Sequence, residues 1–211
     1  MSAVQLIDEG AVLWSAPQSE RADRPLLVLL HGYGSHEGDL FGLAPHLPLD
    51  PVIAAVRAPL RAGPGYSWYP LENVSHEERA AGADAAARGL LQWLDGTSAT
   101  SVGLLGFSQG GAMSIQLLRH APERFAFAVS LAGFVVPGDA PADDRLAQLA
   151  PPVFWGRGTH DEVIPSSFVE ATQRWLPHHS TLTTRIYEGL GHSVSEPELA
   201  DVLAFLRARY A

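Results

Sequence analysis

Apolar residues in this chain gather into short, nearly unbroken runs, separated by stretches in which they recur every three or four positions. Pro25-Leu26-Leu27-Val28-Leu29-Leu30, Val52-Ile53-Ala54-Ala55-Val56, residues 101–105, residues 125–132 and Val153-Phe154-Trp155-Gly156 show almost no polar alternation. Such runs suit strands buried on both faces, as in a parallel sheet with helices on either side. Residues 181–187 read as a last strand and 4–15 as one or two edge strands. Helical spacing is found over 39–47, where Pro48 stops it, and over 110–120, where Pro122 does. It recurs over 166–176 and over 196–210, the last with Leu199, Val202, Leu203 and Leu206 on one face. Ser75-His76-Glu77-Glu78 has the form of a capping box, opening a helix that runs to Leu94 and stops at Asp95-Gly96. Strands alternating with helices predict an α/β fold with a mostly parallel central sheet and helices on both faces. Sheets of this kind bind ligands at the carboxyl ends of their strands, so the loops after Leu30, Leu105, Gly156 and Tyr187 carry the functional interest.

Two stretches resist this alternation. Residues 58–73 form a long loop with Tyr66, Trp68, Tyr69 and three prolines, and loops of that length in compact domains tend to be functional. Residues 134–151 have room for one helical turn at 143–149, too little for a separate lid domain.

Composition narrows the classes. A length of 211 residues fits one domain, 1–211, and 46% apolar with 18% charged residues excludes a disordered chain. The net charge is -9, all 14 basic residues are arginine, and they form no cluster, so no nucleic-acid partner is expected. Without cysteine there is no disulfide, no thiolate nucleophile and no thiolate metal site. The first nine residues lack a basic region followed by an apolar one, and the apolar stretch at 125–136 falls short of a membrane span. A cytoplasmic protein, monomer or homodimer, is expected.

The chemistry centres on Gly106-Phe107-Ser108-Gln109-Gly110, between the run Val102, Leu104, Leu105 and the helically spaced Met113, Ile115, Leu117 and Leu118. A strand, a sharp turn and a helix with serine at the corner form the nucleophile elbow of α/β-hydrolases, with glycines two residues either side where a Cβ would collide. Serine needs a base to take its proton, and that imidazole needs a carboxylate to hold it. In that fold the partners follow in the order serine, acid, histidine. Asp161, just past one strand, and His192, just past the last, supply the order. Glu162 is an alternative acid, although an aspartate at the loop tip, with Val163 anchoring the return, suits the site better. The developing oxyanion needs donors. The Gln109 amide opens the elbow helix, and the Tyr33 amide sits between Gly32 and Gly34 in the loop after the first long strand. His36, Glu37 and Asp39 have the residue types of metal ligands but lack a partner at fixed spacing, and a solvated loop accounts for them better.

With these residues in view, the chain resembles the phospholipase/carboxylesterase family. The resemblance is carried by Leu30-His31-Gly32-Tyr33-Gly34-Ser35 with Asp39-Leu40, by Gly106 to Gly111, and by Asp161 and Gly191-His192. It implies an α/β-hydrolase domain acting as a serine esterase without cofactor or metal. Ser108, Asp161 and His192 match the triad, and the amides of Tyr33 and Gln109 match the oxyanion donors. The first loop is more similar to the bacterial esterase branch than to the thioesterase branch. The expected substrate is a small ester with a short or medium acyl chain, and acyl-thioesters and lysophospholipids are the alternative. Trp68, Tyr69 and Leu71 are candidates for the acyl groove, against the plainer reading that they pack their loop onto the sheet.

Overall fold

The computed structural model describes residues 4–48 and 50–210, and the N-terminal reading at Met1 to Ala3 lies outside them. Seven strands form one sheet: β1 (Leu13–Trp14), β2 (Leu26–Leu30), β3 (Val52–Val56), β6 (Val102–Phe107), β7 (Phe127–Leu131), β8 (Pro152–Gly158) and β9 (Thr181–Tyr187). Their order is β1-β3-β2-β6-β7-β8-β9, and β1 alone runs antiparallel to its neighbour. Between β1 and β9 along the chain lie a hairpin, β4 (Leu60–Ala62) and β5 (Gly65–Ser67), and helices α1 (Gly38–Phe41), α2 (His76–Leu94), α3 (Gln109–His120), α4 (Asp143–Leu149) and α5 (Ser166–His179). Helix α6 (Glu196–Arg207) follows β9.

The unbroken apolar runs are explained by a core on each face of the sheet. Leu26, Val28, Leu30 and Leu104 turn toward Leu90, Trp93, Met113 and Ile115 of α2 and α3. The intervening Leu27, Leu29, Ile53 and Leu105 turn toward Leu40 of α1 and Val202, Phe205 and Leu206 of α6. A strand alternates its side chains between faces, so burial on both leaves no position for a polar residue.

After β2 the chain moves outward to β3, then returns to the other side of β2 to lay down β6. The reversal leaves a crevice above the carboxyl ends of β2 and β6, where this architecture places its ligands. The Tyr33 loop and the serine turn leave the sheet from those two strands.

Three expectations are corrected. The helix read over 39–47 is split into α1 and a separate 3-10 turn at Ala44–His46, because Pro45 lacks the amide and clashes with a continuing α-helix. Of residues 4–15 only Leu13 and Trp14 pair into the sheet, after a 3-10 turn at Glu9–Ala11. The stretch 58–73 is not all loop, since it contains the β4–β5 hairpin. Among the described residues no helix is long and apolar enough to cross a membrane.

Candidate active site

Ser108 is held at φ 54° and ψ -115°, a left-handed backbone that costs a non-glycine residue about 1–3 kcal/mol. The surroundings enforce it. The Ser108 amide donates to the Leu131 carbonyl at 2.8 Å, continuing the β6–β7 ladder, and the Ser108 carbonyl accepts from the Ala112 amide at 3.0 Å in α3. A Cβ at Gly106 would stand 2.1 Å from the Gly110 carbonyl oxygen, and one at Gly110 would stand 1.8 Å from that of Leu30. The two motif glycines therefore let α3 start directly against β6 and the end of β2.

His192 Nε2 lies 2.9 Å from Ser108 Oγ, and its Nδ1 lies 2.8 Å from Asp161 Oδ2. The other carboxylate oxygen, Asp161 Oδ1, accepts the amides of Val163 at 2.9 Å and Ile164 at 3.2 Å. With its side chain only 2% exposed, Asp161 is pinned by the backbone on one oxygen and presents the other to the imidazole. The imidazole thus meets Asp161, and among the described residues it makes no bond of this kind to Glu162. Phe107 packs on the His192 ring, centroids 4.9 Å apart. Val163 is 62% exposed, so the sequence reading of it as an anchor is corrected: the buried neighbour Ile164 holds that return.

Ser108 and His192 open into a cavity of about 340 Å³. Tyr33 and Gln109 border it beside the serine, while Leu71, Phe134, Ile164 and Phe168 give it apolar walls and Arg79 adds a cation. Of the three groove candidates Leu71 lines this cavity. Trp68 and Tyr69 do not, being wholly buried, and their assignment to the groove is corrected. The reason is a clamp. Gln109 accepts the Trp68 amide on Oε1 at 3.0 Å and donates from Nε2 to the Tyr69 carbonyl at 2.7 Å. Trp68 Nε1 donates to the His31 carbonyl at 2.8 Å. These aromatics tie their loop to the elbow and to the Tyr33 loop.

A further group emerges that the sequence reading missed. His31, 1% exposed, accepts the Ala58 amide on Nε2 at 3.1 Å, so its proton must sit on Nδ1, which then donates to the Gly32 carbonyl at 2.8 Å. Burial pushes the His31 pKa below its ordinary value, keeping the ring neutral as this arrangement requires. The Gly32 carbonyl belongs to the same peptide unit as the Tyr33 amide. In a trans peptide the two point in opposite directions, so holding one fixes the other. Strand β5 secures the loop from outside: the Gly34 amide donates to the Tyr66 carbonyl and the Tyr66 amide to the Ser35 carbonyl, each at 2.8 Å. The sequence signal was a histidine between a buried strand and a glycine, one of nine histidines and with no partner in view.

The candidate metal residues are committed elsewhere. Glu37 is ion-paired with Arg57 through both carboxylate oxygens, Asp39 accepts the Ser35 hydroxyl at 2.7 Å, and His36 Nδ1 accepts the Gly38 amide at 3.1 Å.

A parallel sheet reversing at β2, with serine, imidazole and carboxylate joined across three of its loops, defines an α/β-hydrolase. The chain belongs to the phospholipase/carboxylesterase family, whose model matches residues 15–210. It is similar to acyl-protein thioesterase 1 of Eremothecium gossypii, at 30% identity over 208 residues and 86% of each chain. It is also similar to the esterase YpfH of Escherichia coli, at 26% identity over 204 residues, 88% of this chain and 84% of that one. The solved structure of esterase PE8 superposes with a TM-score of 0.73 at 30% identity, covering 93% of this chain and 96% of that one.

Proposed function

We propose that this protein is a serine carboxylesterase acting on small esters through an acyl-enzyme, with Ser108 as nucleophile. The observation that carries the proposal is the unbroken relay from Ser108 Oγ through His192 to the pinned Asp161 carboxylate, at 2.9 Å and 2.8 Å, beneath an apolar cavity.

His192 Nε2 takes the Ser108 proton as Oγ bonds to the ester carbonyl carbon, and Asp161 stabilises the imidazolium and holds its orientation. The carbonyl oxygen becomes an oxyanion that the amides of Tyr33 and Gln109 receive. Gln109 begins α3, where amides have no partner within the helix and the helix dipole favours negative charge. His192 then gives its proton to the leaving alkoxide as the carbon–oxygen bond breaks. Water, deprotonated by His192, attacks the acyl carbon, and the proton returned to Oγ releases the carboxylic acid. No metal or cofactor enters this scheme. Leu71, Phe134, Ile164 and Phe168 take the acyl chain.

A second reading, thioester hydrolysis by the same residues, is favoured by the likeness to acyl-protein thioesterase 1 over most of both chains. Paired oxygen-ester and thioester substrates of equal acyl length decide between them by kcat/KM. The proposal itself is tested with Ser108→Ala, which should abolish p-nitrophenyl ester turnover and labelling by a fluorophosphonate while circular dichroism stays unchanged. Turnover kept in that variant would remove Ser108 from the mechanism. The reading also takes a cytoplasmic location, and sedimentation distinguishes monomer from homodimer.

A further inference from the structure

Within the cavity above Ser108, one of the lining residues carries a fixed positive charge. Arg79, on the first turns of α2, brings a guanidinium to a wall otherwise built from Leu71, Phe134 and Phe168. Its Nη2 donates to the Leu71 carbonyl at 3.0 Å, and its carbon centre stands 5.9 Å from the Phe168 ring centroid. Its Nε is buried and has no hydrogen-bond partner among the described residues, and no carboxylate among them forms an ion pair with it. The carboxylate closest in sequence to its Leu71 contact, Glu72, is exposed and instead accepts the Tyr33 hydroxyl at 3.4 Å. The buried Tyr69 hydroxyl is likewise unpartnered, and the Arg79 charge acts on it.

A half-buried arginine with an unsatisfied donor and no counter-ion is costly in the free protein, because buried polar groups are almost always paired. A ligand carboxylate in the cavity supplies the missing counter-charge and accepts from the part of the guanidinium that lines it. We infer that Arg79 forms an anion-binding subsite within the acyl cavity and that the preferred esters carry a carboxylate a short apolar spacer from the scissile carbonyl. This rests on the proposed esterase reading and specifies its substrate class: half-esters of dicarboxylic acids, or esters of carboxylate-bearing alcohols. The apolar walls accept the spacer, the guanidinium accepts the charge, and the reacting carbonyl stays at Ser108. The net charge of -9 disfavours anions at long range, so selectivity comes from this local contact.

The test compares mono-p-nitrophenyl glutarate with p-nitrophenyl pentanoate, which has the same acyl length without the charge. A second pair, 4-acetoxybenzoate and phenyl acetate, moves the carboxylate to the alcohol side. In the unaltered protein one of the two anionic esters should be preferred over its neutral partner by about 10- to 100-fold in kcat/KM, with the preference shrinking as salt rises. Arg79→Gln should abolish that ratio, and Arg79→Lys should restore part of it. Three results would overturn the inference: no anionic preference in either pair, a preference that survives Arg79→Gln, or an equal loss on charged and neutral esters, which marks Arg79 as only a staple for the Leu71 loop. If none of the four esters is turned over, or the serine is not labelled, the esterase reading itself has failed, a result distinct from these three.

Discussion

Replacing His31 with alanine removes two buried partners at once, the acceptor of the Ala58 amide and the donor to the Gly32 carbonyl. The Ala58 amide is left unpaired, at about 1–3 kcal/mol, while the Gly32 carbonyl keeps the Ser35 amide at 3.2 Å and loses one bond of about 0.5–1.5 kcal/mol, so the fold should lose about 1.5–4.5 kcal/mol, nearer the lower figure if water enters the vacated space. The catalytic effect is separate. With its carbonyl held by the Ser35 amide alone, the Gly32–Tyr33 peptide is freer to rotate and carry the Tyr33 amide off the oxyanion. Complete loss of a donor costs about 100- to 1000-fold in rate. The Trp68 and Tyr66 bonds still hold the loop, so His31→Ala should lose about 10- to 100-fold in kcat, less than that upper range, with KM little changed. His31→Asn separates the two effects, because a shorter amide can donate to the Gly32 carbonyl but does not reach Ala58. It should lose stability while keeping most of kcat. Urea unfolding and single-turnover kinetics at a temperature where every variant is folded supply both readouts. If His31→Ala turned over esters at the unaltered rate, the peptide-pinning argument would be wrong. A pH dependence follows from the same ring. Its pKa is ordinary, 6.5, in the unfolded chain and lowered in the fold, so below pH 6.5 the unfolded state binds the extra proton. His31 should therefore erode stability as pH falls below 6.5, by at most about 1.4 kcal/mol per pH unit, and its substitution should delete that part of the acid limb.

Two more outcomes can be checked. In Asp161→Asn, the amides of Val163 and Ile164 should hold the amide oxygen where Oδ1 now lies, so the NH2 group faces His192 and forces its proton onto Nε2. That ring cannot accept from Ser108, so kcat should fall by about 10⁴-fold with the fold intact, and a loss under tenfold would contradict the assigned tautomer. Glu198, 1% exposed and with an unpartnered oxygen, is pushed up to about 7 by burial. The folded state therefore holds its proton more tightly than the unfolded state, and stability should fall as pH rises from 4.5 to 7. Glu198→Gln should raise stability at pH 8 by about 1–3 kcal/mol, and thermal melts of both proteins across that window measure it.

What could be read from the chain follows the range of each interaction. Leu26 to Leu30 and Val52 to Val56 announce doubly covered strands because burial on both faces leaves its mark residue by residue. Ser108, Asp161 and His192 are legible because each ends a strand at the same edge of the sheet, so position along the chain implies position in space. The Trp68–Tyr69 stretch misled for the opposite reason. Aromatics in a proline-rich loop look like a ligand wall, but their backbone is captured by Gln109, some 40 positions on, a pairing that leaves no local pattern. The β4–β5 hairpin was hidden because three-residue strands are too short to show alternation. His31 stayed silent because its role lies in a proton position, which only its two partners disclose.

Gln109 serves two ends of one structure. Its backbone begins α3 beside Ser108, the proposed nucleophile, while its side chain holds the segment leading into Leu71, a wall of the proposed acyl cavity. Reshaping this enzyme for bulkier acids by randomising position 109 would therefore disturb the charge-receiving end and the chain-receiving end together. Rate and selectivity would move as one, and most such variants would be lost before their selectivity could be measured. Leu71 and Phe134 border the same cavity without sharing that clamp. Libraries drawn there should separate the two properties, and the fixed glutamine becomes a boundary condition for redesign rather than a position to explore.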